Sequence, residues 1–403
     1  MVRDSLSGIR VLDFSHVVAG PVCGMLLGDM GADVSKIEPL GGELGRAIGP
    51  PWQNGESLVA LSVNRNKRGL AIDLKTEAGR AAVRQMAKSA DVVLESFRPG
   101  VMARFGLDFA NLHPANPRLV YCSISAYGQH GPGRAKAGVD GIIQAASGLM
   151  GTLGTDGGEP CKVGVPVADM TTGYLATVAV LAALHKVRAS GQGQHLDVSL
   201  FNATLMLQQV GLAFHLSTGD EPGRQGSAAP YAAPNEAYPS ADGWLMLAAY
   251  HPDRWRRLCG LLGVDWLCND PRFASNESRV ANRALLHAEL DPILRRESTA
   301  YWLQLLGSAD ILCAPIASYG DVCASPEYAY NQVEITTEHP TAGAVRMPGF
   351  AIGVDEAVPY RPAPMLGEHS LRILADYGIS QADAMALHTS GAIFAQDLSK
   401  ETT

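Results

Sequence analysis

The chain has 403 residues, 47% hydrophobic and 18% charged, with 40 acidic against 32 basic residues and a formal charge of −8. A chain of this length divides into two or three domains and buries enough surface to fold without disulfides or structural metal. The composition excludes disorder, and the acidic balance argues against a general nucleic-acid binder.

In chain order, Gly8–Ser15 is a short β-branched run and Pro21–Met30 a helix with proline at a tolerated early position. Ala32–Glu38 alternates as a strand, and Leu70–Leu74 is another. Thr76–Ser89 is an amphipathic helix with Glu77 early and Lys88 late, as the helix dipole favours. Strands at Asp91–Phe97 and Leu119–Ser125 precede a long helix at Thr171–Val187 and a strand at Gln194–Phe201. This alternation predicts an α/β fold with a parallel sheet covered on both faces. Thr218–Pro239, rich in Gly, Pro, Ala and Ser, reads as a linker or an active-site loop. Gly243–Tyr250 is a strand, and Pro252–Leu262, Ala281–Arg295 and Tyr301–Ser308 are helices. Residues 225–330 therefore read as a second, smaller α/β domain. The tail has strand-like pieces and a helix at Ser370–Tyr377, and Ser399–Thr403 is expected to fray.

The first residues carry no apolar signal core, so no export signal is read there. The longest apolar run, Tyr174–Leu184, is shorter than the roughly 20 residues of a membrane span and reads as a buried helix. Seven scattered cysteines without a CxxC pair fit a reducing cytoplasm. A cytoplasmic protein with no membrane and no nucleic-acid partner is expected.

Several common chemistries are missing. There is no Gly-Lys dipeptide, hence no Walker loop. GxGxxG is absent: Gly128, Gly131 and Gly133 have the wrong spacing, and Pro132 lacks a donor. There is no GxSxG elbow and no HExxH. No metal site is expected. A carboxylate is left as the candidate catalytic group. Asp169 stands just before the long apolar helix, and by spacing alone it reads as a helix N-cap.

Charge is uneven. Residues 1–140 hold 16 basic and 13 acidic side chains, a balance of +3; the remainder holds 16 and 27, a balance of −11. The cations cluster as Arg65, Lys67, Arg68 and Lys75, then Arg98 and Arg104, then Arg134 and Lys136. Several fall at strand ends, where open α/β sheets bind ligands. A polyphosphate site and an ordinary solvated surface both remain open on these residues.

Specific segments go further. Val11 to Pro21 (VLDFSHVVAGP), Gly31 to Glu38, Asn66 to Arg68, Asp73 to Thr76, Glu95 to Gly100 and Arg104 to Gly106 resemble, in order, the family III CoA-transferases. That group includes formyl-CoA transferase and carnitine CoA-transferase. The match continues through Asn116 to Arg118, Tyr127 and Gly128, Gly164 to Met170, and Pro364 to His369, and so covers essentially the whole chain.

The resemblance implies a large Rossmann-like domain from residues 1–215 and 331–403, an inserted small α/β domain at 225–330, and linkers near 216–240 and 315–345. It also implies an interlocked homodimer. It places the catalytic aspartate at Asp169. It assigns contacts to coenzyme A, bound as acyl-CoA substrate, to Val18, Ala19, Ile72, Asp73, Leu74, Lys75, Ser96, Phe97, Arg98, Arg104, Lys136, Ala137 and Asp140. His16, Arg46, Tyr127 and Tyr231 are substrate candidates, with Asn235 beside the last. Residues 226–234 are a candidate lid, or a plain linker. Formyl-CoA transferase has Gln where Val18 stands and a glycine-rich loop this chain lacks, so that enzyme's own pairing of formyl and oxalyl groups is not expected to carry over.

The implied chemistry is carboxylate nucleophilicity: an aspartyl anhydride, then an aspartyl-CoA thioester. The helix start is expected to keep Asp169 ionised. The expected acceptor is a small carboxylic acid, a dicarboxylate such as itaconate, mesaconate, malate or oxalate, with succinyl-CoA as donor. The rivals are an α-methylacyl-CoA racemase and a non-catalytic acyl-CoA-binding protein. A racemase of this kind has His where Val139 stands, and it needs two proton carriers.

Overall fold

The computed structural model describes residues 2–352 and 359–396. The expected fraying of Ser399–Thr403 lies outside them. Two compact units separate by contact: residues 1–149, 163–209 and 331–403 form the first, and 150–162 with 210–330 the second.

The first unit is built on a seven-stranded sheet. Its strands in chain order are β1 (Arg10–Asp13), β2 (Asp33–Glu38), β3 (Lys67–Ile72), β4 (Val92–Glu95), β5 (Val120–Ser125) and β6 (Gln194–Ser199), plus the edge strand Ile393–Phe394. Across the sheet they run Ile393–Phe394, β3, β2, β1, β4, β5, β6. All pairings are parallel except that of Ile393–Phe394 with β3.

Adjacent residues point to opposite faces, and both faces are buried, which explains the continuous apolar runs. Val11, Val34, Val92, Val120 and Cys122 pack on one side against α1 (Ala19–Asp29). Leu12, Ile37, Leu70, Val93 and Tyr121 pack on the other against Ala82, Val83 and Met86 of α2 (Glu77–Ala87) and against Ile373 and Leu374. Thr76 caps α2 by accepting the Gly79 N–H at 3.0 Å.

Two differences from the sequence reading matter. The strand expected at Leu70–Leu74 is β3, Lys67–Ile72. Its charged start hides a strand because Lys67 and Arg68 are neutralised by partners distant in sequence. The helix expected at Thr171–Val187 runs over Val167–Ser190. Its 24 residues are long and apolar enough to cross a membrane by length and composition. Ala168, Ala176, Val180, Ala183, Leu184 and Val187 are nonetheless core residues against the sheet. Each such Val or Leu gains about 1.5–3 kcal/mol by burial.

The second unit carries a three-stranded antiparallel sheet, Leu312–Pro315 beside Trp244–Ala248 beside Asn235–Pro239. Trp255, Leu258, Leu286, Leu290, Trp302 and Leu306 form its core. Asn235–Pro239 belongs to the stretch read as linker; Pro239 and the Pro-rich residues before it disguise a strand that alternates in burial.

Candidate active site

The strand order reverses between β1 and β4, and at such a point the carboxyl ends of parallel strands leave a crevice. A cleft of about 450 Å³ lies there. His16 lines it after β1, Ser96 to Pro99 after β4, and Ser125 to Tyr127 at the end of β5. Arg134, Lys136 to Val139, Ile142 and Leu44 complete the wall. Of the expected residues, the cleft thus gathers His16, Ser96, Phe97, Arg98, Tyr127, Lys136 and Ala137.

Local bonds fix this wall. The His16 N–H donates to Ser96 Oγ at 3.0 Å, and that hydroxyl lies 3.1 Å from His16 Nδ1. The His16 ring tilts against Phe97 at 5.5 Å between centroids. Burial lowers the His16 pKa and favours the neutral ring, and Glu43 offsets this only in part. The Phe97 N–H donates to Glu95 at 2.9 Å. Burial pushes the Glu95 carboxyl up to about 7. Lys136 Nζ lies 5.8 Å from the Tyr127 ring centroid.

The cations divide into two kinds. Arg98, Arg104, Arg134 and Lys75 are exposed, and among the described residues none has a carboxylate partner. Arg65, Lys67 and Arg68 are buried, and so fit neither the phosphate nor the solvated reading. Lys67 Nζ donates to Asp13 at 2.8 Å, to the Pro21 carbonyl at 2.9 Å and to Asn64 at 2.9 Å. Arg65 pairs with Asp29, and Arg68 with Asp33 and Asp376. The earlier start of β3 draws Lys67 and Arg68 into the fold, and Arg65 lies buried in the turn before it.

Other expected residues stand outside the cleft wall. Val18 and Ala19 are buried at the head of α1. Ile72 is a core side chain at 1% exposure, so the segment after β3 offers solvent Asp73, Leu74 and Lys75 instead. Arg104 ends the short helix Val101–Arg104. Arg46, expected as a substrate candidate, also lies outside that wall. Its Nε and Nη2 each reach the Glu38 carboxylate at 2.7 Å, and Nη2 also donates to the Pro364 carbonyl at 2.9 Å. Tyr231 belongs to the second unit, exposed, with its carbonyl accepting from Asn276 at 3.0 Å. Asn235 opens the strand Asn235–Pro239.

Asp140 opens the helix α3 (Asp140–Ala146), one residue beyond the cleft-lining Val139. Its Oδ1 accepts the N–H groups of Ala168 at 2.8 Å and Asp169 at 3.3 Å. Its Oδ2 accepts from Gln144 Nε2 at 2.6 Å, and Gln144 Oε1 accepts the Val163 N–H at 2.9 Å. The helix starting at Val167, here α4, has Pro166 at its N-cap and no cap from its own side chains. Asp140 supplies that cap from another segment.

Asp169 is therefore the third residue of α4, not its N-cap. It is half-buried, and burial first, then the Asp140 charge, push its carboxyl from 3.8 up to about 7. This corrects the expectation that the helix start keeps it ionised: the positive helix end is outweighed by burial and a like charge. The result is a carboxyl that ionises near neutral pH. The capping role of Asp140 has no local sequence signal, and neither does the cleft contact of Leu44.

The chain belongs to CoA-transferase family III, which it matches over residues 6–370. It is 40% identical to the succinate–glutarate CoA-transferase of Agrobacterium fabrum, with 93% of this chain and 96% of that protein covered. It is 35% identical to the succinyl-CoA:glutarate CoA-transferase of Mus musculus, with 92% and 86% covered. Its fold is similar to the crystal structure of a CAIB/BAIF family protein from Brucella suis, at TM-score 0.82 and 34% identity, with 92% and 99% covered. The enzyme is a CoA-transferase that acts on CoA thioesters.

Proposed function

We propose that this enzyme moves CoA from succinyl-CoA to a small dicarboxylate through intermediates on Asp169. The carrying observation is the Asp169 carboxyl, pushed up to about 7 and tied through Asp140 to a segment lining a cleft with exposed cations. Arg98, Arg134 and Lys136 suit the phosphates of CoA. The relatives' names support succinyl-CoA as donor and add glutarate to the expected acceptors itaconate, mesaconate, malate and oxalate.

The Asp169 oxygen attacks the thioester carbonyl, the C–S bond breaks, and CoA leaves as thiolate. The thiolate then attacks the Asp169 carbonyl of the mixed anhydride, expelling succinate and leaving an aspartyl-CoA thioester. The acceptor carboxylate attacks that thioester and expels the thiolate again. Attack of the thiolate on the acceptor carbonyl gives the new acyl-CoA and frees the Asp169 carboxylate. Water must be kept from the anhydride. Val139 bears no proton carrier, which disfavours the racemase reading.

The enzyme works as a cytoplasmic, interlocked homodimer in this proposal. Tyr174 and Val178 on α4, at 49% and 61% exposure, are apolar surface suited to a second copy. The test is incubation with succinyl-CoA and isotopically labelled dicarboxylates, followed by mass. A new acyl-CoA without α-proton exchange is expected; α-exchange without transfer would overturn the proposal.

A further inference from the structure

Between β1 and α1, the chain turns through Ser15, His16, Val17 and Val18. Val17 has φ +66°, a left-handed conformation that a β-branched residue adopts only under constraint. Hydrogen bonds hold the turn on both sides. The Ser15 N–H donates to Asp13 at 2.9 Å, and the Ser15 carbonyl accepts from Lys36 Nζ at 3.0 Å. The His16 N–H is held by Ser96, as above. The Val17 N–H donates to Glu43 Oε2 at 3.1 Å. On the far side, the Val18 carbonyl accepts the Val22 N–H at 2.8 Å, fixing the first turn of α1.

Glu43 is itself buried at 8% exposure and held in place. The same Oε2 accepts the Gly45 N–H, and Oε1 lies 3.8 Å from Lys36 Nζ. Its own N–H donates to Glu38 at 3.2 Å. The peptide entering Val17 is thus fixed by Glu43, α1 begins two residues on, and Val17 joins the two at φ +66°.

We infer that Glu43 is a positioning residue: by clamping the Val17 amide, it holds the strained turn that presents His16 to the acyl-CoA cleft. The inference rests on the CoA-transferase reading of that cleft. It separates Glu43 from residues that touch substrate, because the side chain is buried and its Oε2 is taken up by the Val17 and Gly45 amides.

Left-handed strain of the usual size shifts a conformational equilibrium by roughly ten- to a hundredfold. Glu43→Ala should therefore raise the KM for succinyl-CoA about tenfold or more, with a smaller fall in kcat. Glycine takes a positive φ without strain, whereas alanine does not. The double variant Val17→Gly/Glu43→Ala should recover most of the lost affinity, and Val17→Ala/Glu43→Ala should not. Steady-state transfer and CoA binding by calorimetry on the three variants and wild type make the test. If Glu43→Ala alone does not fold, the two double variants still decide. Equal defects in both, including failure of both to fold, would overturn the inference, as would an undisturbed Glu43→Ala. Absence of transfer in wild type would instead sink the underlying reading.

Discussion

One oxygen of Asp140 accepts the backbone N–H groups of both Ala168 and Asp169, at 2.8 and 3.3 Å. The bond anchors the helix of the proposed nucleophile to the cleft wall, and it sets one carboxylate beside another. Asp140→Asn keeps an acceptor for those amides, removes the charge and gives up the Gln144 bond. A neighbouring like charge raises a carboxyl pKa, and here it adds to the larger effect of burial. The acid limb of the kcat/KM profile should move to lower pH by about one unit. Asp140→Ala, which removes the cap as well, should cost about 0.5–2 kcal/mol of stability. A limb that stays in place in Asp140→Asn would contradict the charge coupling.

The same carboxyl makes stability depend on pH. Asp169 is pushed from 3.8 to about 7, so the native state holds a proton that the unfolded chain releases between those values. Stability contributed by this site is present below pH 3.8 and lost as pH rises through about 7. Asp169→Asn should abolish transfer and yet stabilise the protein at pH 8 by about 2–4 kcal/mol. The gain should vanish near pH 4. Urea unfolding at the two pH values checks both halves.

The two kinds of cation should respond differently to deletion. Arg98 is exposed at the cleft, and Arg98→Ala should raise the KM for acyl-CoA roughly tenfold, with a loss that shrinks at high salt. Arg65 is buried against Asp29, and Arg65→Ala should cost about 3–5 kcal/mol of stability. KM measured over a salt series, together with unfolding midpoints, separates the two.

Gly173 lies on α4 one turn beyond Asp169, pressed against the head of α1. A Cβ there would meet the Ala19 carbonyl oxygen at 2.7 Å and Val22 at 2.8 Å. Gly173→Ala should cost about 1–3 kcal/mol, as overpacking does. It should also lower transfer, because α1 and the Val18–Ala19 turn are displaced relative to Asp169. Unchanged kinetics at the destabilised variant's working temperature would contradict that coupling.

Much of the parallel sheet was legible because its strands are short, apolar and separated by helices of clear period. The start of β3 was not, because Lys67 and Arg68 read as loop residues until Asp13 and Asp33 are brought beside them. The segments after β1 and β4 and before α3 were singled out through the family resemblance, and the fold brings them together around one cleft. The bond between Arg46 and Glu38 was not legible because the two lie on different elements. The cap from Asp140 and the clamp from Glu43 were invisible for the same reason. Both act on backbone amides distant in sequence, where no local pattern records them.

The central claim is that Asp169 becomes covalently attached to CoA. The protein should be mixed with succinyl-CoA without acceptor, treated with hydroxylamine, digested, and mapped by mass spectrometry. An aspartyl hydroxamate at Asp169, absent from Asp169→Asn, is the expected result. Full transfer activity in Asp169→Asn, or a hydroxamate on another residue only, would contradict it.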